Sequence, residues 1–282
     1  MGQKEKCVLE GKFKSPMGHV EEAVAQATPE TVAKAVQNGS AALAFQPIAL
    51  ANDGKTPAFY EGLIRIFDEG NRVIPAKDFI GQVETTETGR LIDVLTLKRS
   101  IRTLNKTPGL HLSLNVSARS IGYAPWTDKL HATIRRNPDI AKRLTIEISE
   151  RSVMQLPEIT QRFVKDMRGK GLRFLLDDFG ADLTSFQHLR DIHVDMLKID
   201  GRYIQGITKS DGDRAVIRSM VALGHNLRRR VIATRVETAE QMAWLKQAGV
   251  DAVQGYFVGM PTLDPVWEKR DTSARQQRSK VK

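Results

Sequence analysis

The chain has 282 residues, 41% hydrophobic and 27% charged, with a formal net charge of +10. That composition excludes a wholly disordered chain. No apolar run approaches the ~18 residues a membrane-crossing helix needs; the longest candidate, Ala41 to Ala51, is broken by Gln46 and Pro47. A single cysteine, Cys7, excludes an intrachain disulfide and fits a reducing compartment. The N-terminus lacks the apolar core of a secretory signal, so a soluble, cytoplasmic protein is expected. The positive charge suits solubility or attraction of a phosphate-bearing ligand, but no nucleic-acid recognition motif accompanies it. A serine-hydrolase elbow, a P-loop and a His-Glu-x-x-His zinc motif are all missing.

In chain order, residues 1–40 read as an N-terminal extension. It holds one helix, which starts at Thr28-Pro29-Glu30 (a hydroxyl cap, proline at the first helical position, an acid in the first turn) and ends at Asn38-Gly39. Eight β-like runs follow: Leu43–Ile48, Phe59–Ile66, Leu110–Val116, Leu144–Ile148, Arg173–Asp177, Val194–Ile199, Val231–Ala233 and Ala252–Gln254. Asp53-Gly54 between the first two is a turn signal and predicts an antiparallel hairpin. Amphipathic stretches separate the later runs, at Leu91–Leu104, Trp126–Arg136, Glu158–Gly169, Ser185–Arg190, Asp213–Leu227 and Glu240–Gln247. Strand–helix alternation implies parallel pairing, and eight strands predict a closed TIM-like (β/α)8 barrel over residues 41–265. A doubly wound open sheet is the alternative, but no glycine-rich phosphate loop follows the early strands. Residues 266–282 are strongly basic and read as a disordered tail. Trp126, Trp244 and Trp267 read as packing residues.

Polar residues recur at the strand ends. Glu61 interrupts the second run, the third ends in Asn115, the fourth carries Glu147 and the fifth ends in Asp177-Asp178. The sixth gives Lys198 and Asp200, and the eighth ends in Gln254. A barrel brings such ends to one face. Carboxylates meeting there repel one another unless cations neutralise them. Oxygen donors without a Cys/His cluster suit Mg²⁺ or Mn²⁺ rather than zinc. Taken singly, each acid also fits a helix cap or a solvated loop, and Lys198 fits a structural ion pair.

Several of these segments carry a resemblance. Phe45-Gln-Pro-Ile48, Glu61-Gly-Leu-Ile-Arg65, Pro75-Ala-Lys-Asp-Phe-Ile80, Leu114-Asn-Val-Ser117, Ile146-Glu-Ile-Ser-Glu150, Leu176-Asp-Asp-Phe-Gly180, Leu197-Lys-Ile-Asp200, Val236-Glu-Thr238 and Gln254-Gly-Tyr256 follow one another in the order and spacing of the EAL domain family. The chain resembles that family from about Ala42 to Pro261. Its members include cyclic di-GMP phosphodiesterases and inactive cyclic di-GMP receptors. The resemblance implies a barrel with an antiparallel first strand and a site for two Mg²⁺ or Mn²⁺ ions. Glu61, Asn115, Glu147 and Asp177 would hold the first ion; Asp177 would bridge to a second, with Asp178 as a further ligand. Lys198 and Glu237 would complete the catalytic set beside Glu61 and Asp178. Gln46, Leu63, Arg65 and Gln254 would contact the substrate, and the product would be linear pGpG. A homodimer is also implied, and the N-terminal extension is a candidate docking element for a protein partner.

Two departures qualify the resemblance. The family's Ala-Glu-Gly-Val-Glu-Thr is here Ala233-Thr-Arg-Val-Glu-Thr238, so Thr234 replaces a glutamate. A hydroxyl cannot serve as an anionic ligand or base near neutral pH. The loop after Asp177-Asp178 reads Phe-Gly-Ala-Asp-Leu-Thr-Ser185 and loses the family's glycine and tyrosine, while Asp182 offers a substitute carboxylate. Arg235 sets a cation beside the lost glutamate. The expectation is an attenuated phosphodiesterase, with an inactive cyclic di-GMP receptor or protein-interaction module as the alternative.

Overall fold

The computed structural model describes residues 28–182, 186–265 and 267. Cys7, the loop at Ser15–Gly18, most of the basic tail and residues 183–185 of the altered loop lie outside them. Helix α1 (Pro29–Gln37) begins as its sequence dictates: Thr28 Oγ1 accepts from Thr31 N at 3.2 Å, and Pro29 occupies the first turn. It ends at Asn38, followed by Gly39 at φ +68°.

Strands β1 (Ala41–Leu50) and β2 (Pro57–Phe67) form the expected antiparallel hairpin, and β3 (Val73–Pro75), not foreseen, adds to the outer edge of β2. The chain then alternates α2 (Glu87–Lys106), β4 (Leu112–Asn115), α3 (Ala124–Arg136), β5 (Leu144–Ser149), α4 (Pro157–Gly169) and β6 (Arg173–Phe179). It continues through α5 (Phe186–Asp191), β7 (Met196–Ile199), α6 (Asp211–Asn226), β8 (Arg230–Ala233), α7 (Ala239–Gln247) and β9 (Ala252–Val253). The ring runs β1-β9-β8-β7-β6-β5-β4-β2 and closes through β1–β2. β1 is antiparallel to both neighbours and every other neighbouring pair in the ring is parallel. The eight-stranded barrel of the sequence reading is therefore present, and the open sheet is excluded.

Two hydrophobic layers hold it. The larger packs the helices onto the outer face of the ring, with Trp126, Phe163 and Phe174 in tilted and edge-on contact. The smaller fills the barrel interior with Ile48, Leu175, Met196, Ile232 and Ala252, against which Phe59 packs. Side chains on a strand alternate with period two, so the next inward positions follow directly. From Phe59 that position is Glu61, from Leu175 Asp177, from Met196 Lys198, from Ile232 Thr234 and from Ala252 Gln254. On the antiparallel β1 the step runs backwards, from Ile48 to Gln46. Directly above an apolar plug, the fold thus builds a polar layer. Trp267 packs edge-on against Phe45 and Tyr60, with ring centroids 5.1 and 4.6 Å away.

Gly62, beside Glu61, has room for a methyl group. An added Cβ would lie 3.4 Å from Ser113 O and 3.5 Å from Leu112 Cδ1, ordinary contact distances. Glycine inside a strand is destabilising by roughly 0.5–1 kcal/mol relative to alanine. Gly62→Ala is expected to raise stability by about that amount in urea unfolding; a loss above ~1 kcal/mol would contradict this packing.

Candidate active site

The upper layer draws one polar side chain from each of the eight barrel strands or the residue just past it: Gln46, Glu61, Asn115, Glu147, Asp177, Lys198, Thr234 and Gln254. Lys198 is its hub. The buried Nζ donates to Glu61 Oε2 (3.1 Å) and to Glu147 Oε2, and lies 3.7 Å from Asp177 Oδ2. Glu61 is held from the other side by Asn115 Nδ2 (2.6 Å) and Gln254 Nε2 (2.7 Å). Gln254 Nε2 also donates to Gln46 Oε1 (3.0 Å), and Gln46 Nε2 donates to Gly259 O (3.1 Å). The Glu61 carboxylate is therefore fixed by amides from other strands, whereas Glu147 is held by Lys198 and Asp177 Oδ1 accepts from Asp178 N (2.9 Å).

The electrostatics follow from crowding acids where water is scarce. Burial alone would raise the Glu61 carboxyl, but Lys198, Gln254 and Asn115 outweigh it and hold Glu61 below the ordinary carboxylate value. Glu147 is pushed up to about 8 by burial and by the charges of Glu61 and Asp177, which Lys198 offsets only in part. Asp177 rises to about 6, again mainly from burial, with Lys198 opposing and Glu61 and Asp178 adding repulsion. The three carboxylates overcome the burial of Lys198 and keep it charged, well above the ordinary lysine value. One cation among three acids leaves the cluster short of positive charge.

This is a fitting environment for a divalent cation. One oxygen each from Glu61, Glu147 and Asp177 falls within 4.8 Å of the others. Glu147 Oε1 is buried without a hydrogen-bond partner among the described residues, an oxygen whose desolvation needs an acceptor role to offset it. The donor set is hard oxygen throughout.

The second position implied by the sequence is poorer. Thr234 Oγ1 turns back to donate to Ile199 O (2.8 Å) and offers the cluster no charge. Asp178, at φ +55°, and the exposed Glu237 line the mouth of the same cleft, about 580 Å³ in volume, but neither joins the buried cluster. Asp182 does not supply the substitute carboxylate: its Oδ2 lies 3.3 Å from Arg151 Nε, and it is not among the residues lining the cleft. Leu63 lines the cleft, whereas Arg65 does not and instead donates to Ile64 O (3.0 Å).

The sequence reading gave no role to Lys77, Gly201 or Gln205, which also line the cleft. Lys77 lies inside Pro75-Ala-Lys-Asp-Phe-Ile80, and Gln205 stands four residues after Gly201 on the short helix that follows Asp200. Asp93 was missed as well. It is buried on α2, its Oδ2 accepts from Ser117 N (3.1 Å), and burial pushes it up to about 7. It thereby ties down the loop that follows Asn115. The signal was an acid inside the apolar stretch Leu91-Ile-Asp-Val-Leu95.

Comparison with known proteins agrees with this architecture. Residues 30–261 match the EAL domain family, and the chain belongs to it. It is 27% identical over 237 residues to the cyclic di-GMP phosphodiesterase NbdA of Pseudomonas aeruginosa, covering 82% of this chain and 30% of that protein. To the cyclic di-GMP phosphodiesterase PdeA of Borreliella burgdorferi it is 25% identical over 234 residues, covering 82% of this chain and 35% of that one. The chain thus spans about a third of the length of these relatives. Among solved structures, the PaMucR phosphodiesterase in complex with c-di-GMP aligns with a TM-score of 0.76 at 24% identity, over 85% of this chain and 98% of that one. The FimX EAL domain of P. aeruginosa bound to c-di-GMP aligns at 0.75 and 22%, over 83% and 96%. At these identities the structural likeness establishes the fold. Among the described residues, no helix is long and apolar enough to cross a membrane.

A proton on Glu147 competes with any metal ion. At pH 7, below the value of about 8, the metal-free site holds that proton, and a cation entering must displace it. Mn²⁺ affinity is expected to rise between pH 6 and 8, with proton release visible in calorimetry across buffers of different ionisation enthalpy. A pH-independent affinity would contradict the coupling.

Proposed function

We propose that this domain binds cyclic di-GMP at the upper face of the barrel and hydrolyses it slowly to linear pGpG. The observation that carries the reading is the Lys198–Glu61–Glu147–Asp177 cluster, buried and crosslinked, at the base of an open cleft. Mg²⁺ or Mn²⁺ would be held by Glu61, Asn115, Glu147 and Asp177, with Asp178 and Glu237 at the weaker second position. Bound there, the metal supplies Lewis-acid stabilisation of the phosphoryl oxygens and lowers the pKa of a water.

The protein's own groups do the rest. Asn115 and Gln254 keep both Glu61 oxygens aimed inward. Lys198 holds Glu61 and Glu147 in register and places a positive charge beside an attacking water. Water attacks phosphorus in line with the departing ribose oxygen; one P–O bond forms, the P–O3′ bond breaks, and the leaving oxygen takes up a proton. Gln46, Leu63 and Gln254, which line the cleft, are assigned to contacts with the nucleotide; Arg65 would have to turn from Ile64 O to join them. A cytoplasmic location fits the nucleotide substrate. The homodimer and the docking role of the N-terminal extension stay with this proposal.

The lost glutamate sets the rate. Removing a positioned acid–base group typically lowers a rate by about 10²–10⁴. Incubation with cyclic di-GMP and Mn²⁺ is expected to give slow pGpG formation that Glu61→Ala abolishes and Thr234→Glu raises by roughly 10²-fold or more. A second reading, a receptor without turnover, is favoured by the Thr234 hydroxyl pointing back to Ile199 O. Binding without pGpG in the parent, with turnover appearing in Thr234→Glu, would establish that reading. Absence of any binding would contradict both.

A further inference from the structure

The residue after the lost glutamate departs from the family pattern too. Arg235 stands where the motif carries glycine, and its backbone explains that glycine: φ is +54°, the left-handed region. A side chain is disfavoured there, and such strain concentrates at functional sites. Its alkyl stem lies across Gly201, just past β7. A Cβ at position 201 would meet Arg235 Cδ at 2.3 Å and Cγ at 2.5 Å. The φ of Gly201 is not in the left-handed region, so what this glycine provides is space. Gly201 and Arg235 therefore fit one another, and the space at 201 lets the arginine lie along the cleft wall.

Its charge is available. Arg235 lines the cleft, is exposed, and has no hydrogen bond or ion pair among the described residues. Lys198, by contrast, is committed to three carboxylates. Arg235 shares the lining of that cleft with Thr234, Asp177, Asp178 and Glu237. Replacing Glu-Gly by Thr-Arg removes one negative ligand and adds one tethered positive charge. That exchange removes what a second divalent ion needs and supplies part of what the ion provides.

We propose that the Arg235 guanidinium takes over the charge role of the second divalent ion and binds a phosphate oxygen of the cyclic dinucleotide directly, so that ligand binding in this cleft survives metal removal. A guanidinium meets phosphate through two parallel N–H donors. Arg235 is thus a binding residue whose effect falls on affinity for the nucleotide. The proposal rests on the reading of the cleft as a cyclic di-GMP site.

The test is calorimetric titration of cyclic di-GMP into the parent chain, Arg235→Gly, Arg235→Asn and Arg235→Lys, each with Mg²⁺ and with EDTA. Glycine and asparagine accept a positive φ, so both variants are expected to melt no lower than the parent, which separates lost binding from unfolding. The parent is expected to lose less than tenfold in affinity on passing from Mg²⁺ to EDTA. In EDTA, Arg235→Gly and Arg235→Asn are expected to bind at least tenfold more weakly than the parent, and Arg235→Lys to fall between. Equal affinity of parent and Arg235→Gly in EDTA, or abolition of parent binding by EDTA alone, would overturn the role of Arg235 and leave the site's ligand intact. Failure of the parent to bind in Mg²⁺ would instead overturn the cyclic di-GMP reading, and this proposal with it.

Discussion

A buried ammonium among three carboxylates is the constraint on which the rest depends. Lys198 is charged because Glu61, Glu147 and Asp177 surround it, and those acids can be buried because Lys198 is there. Removing one partner of such a cluster leaves uncompensated buried charge, at a cost of roughly 3–5 kcal/mol. The arrangement is nonetheless two positive charges short, and the raised Glu147 carboxyl absorbs part of the deficit by holding a proton. A site built to accept a divalent cation has this character: rigid in its ligands, strained in its charge, and relieved by the ion.

The barrel exists to make that crowding possible. The four residues Glu61, Glu147, Asp177 and Lys198 come from four strands and meet because each lies two residues beyond an interior position of its strand. Below them the Ile48, Leu175, Met196, Ile232 and Ala252 layer is apolar and buried, so the acids are backed by low dielectric and open only to the cleft. Burial and function are thus set by one alternation. Slipping any of these strands by one residue would turn its polar group outward into the helical layer.

Much of this was legible in the sequence. The eight strand runs and the six helical stretches between them correspond to elements of the fold, because parallel strands buried on both faces read as short apolar runs such as Phe174-Leu-Leu176 and the covering helices read as amphipathic. The convergence of Glu61, Asn115, Glu147, Asp177, Lys198 and Gln254 followed from their places at strand ends. Less visible was whatever depends on contacts across the cleft. Nothing in the sequence shows that Thr234 bonds to Ile199 O, that Asp182 is turned toward Arg151, or that Arg235 needs the space at Gly201. Strand β3, three residues long, carries too little pattern to announce itself. Asp93 was hidden for a related reason, since its role is defined by the Ser117 amide rather than by its neighbours in sequence.

The two sides of the cleft therefore differ in kind. On the β2–β5–β6–β7 side three carboxylates gather around Lys198, with Glu61 also held by amides; on the β8 side Thr234 offers no charge and the Arg235 cation stands beside it. The most direct measurement is an anomalous diffraction map from crystals soaked with Mn²⁺ and cyclic di-GMP. One strong manganese peak among Glu61, Glu147 and Asp177, with none beside Thr234, is the result this account predicts. Two peaks of equal height, or none at the carboxylate cluster, would contradict it.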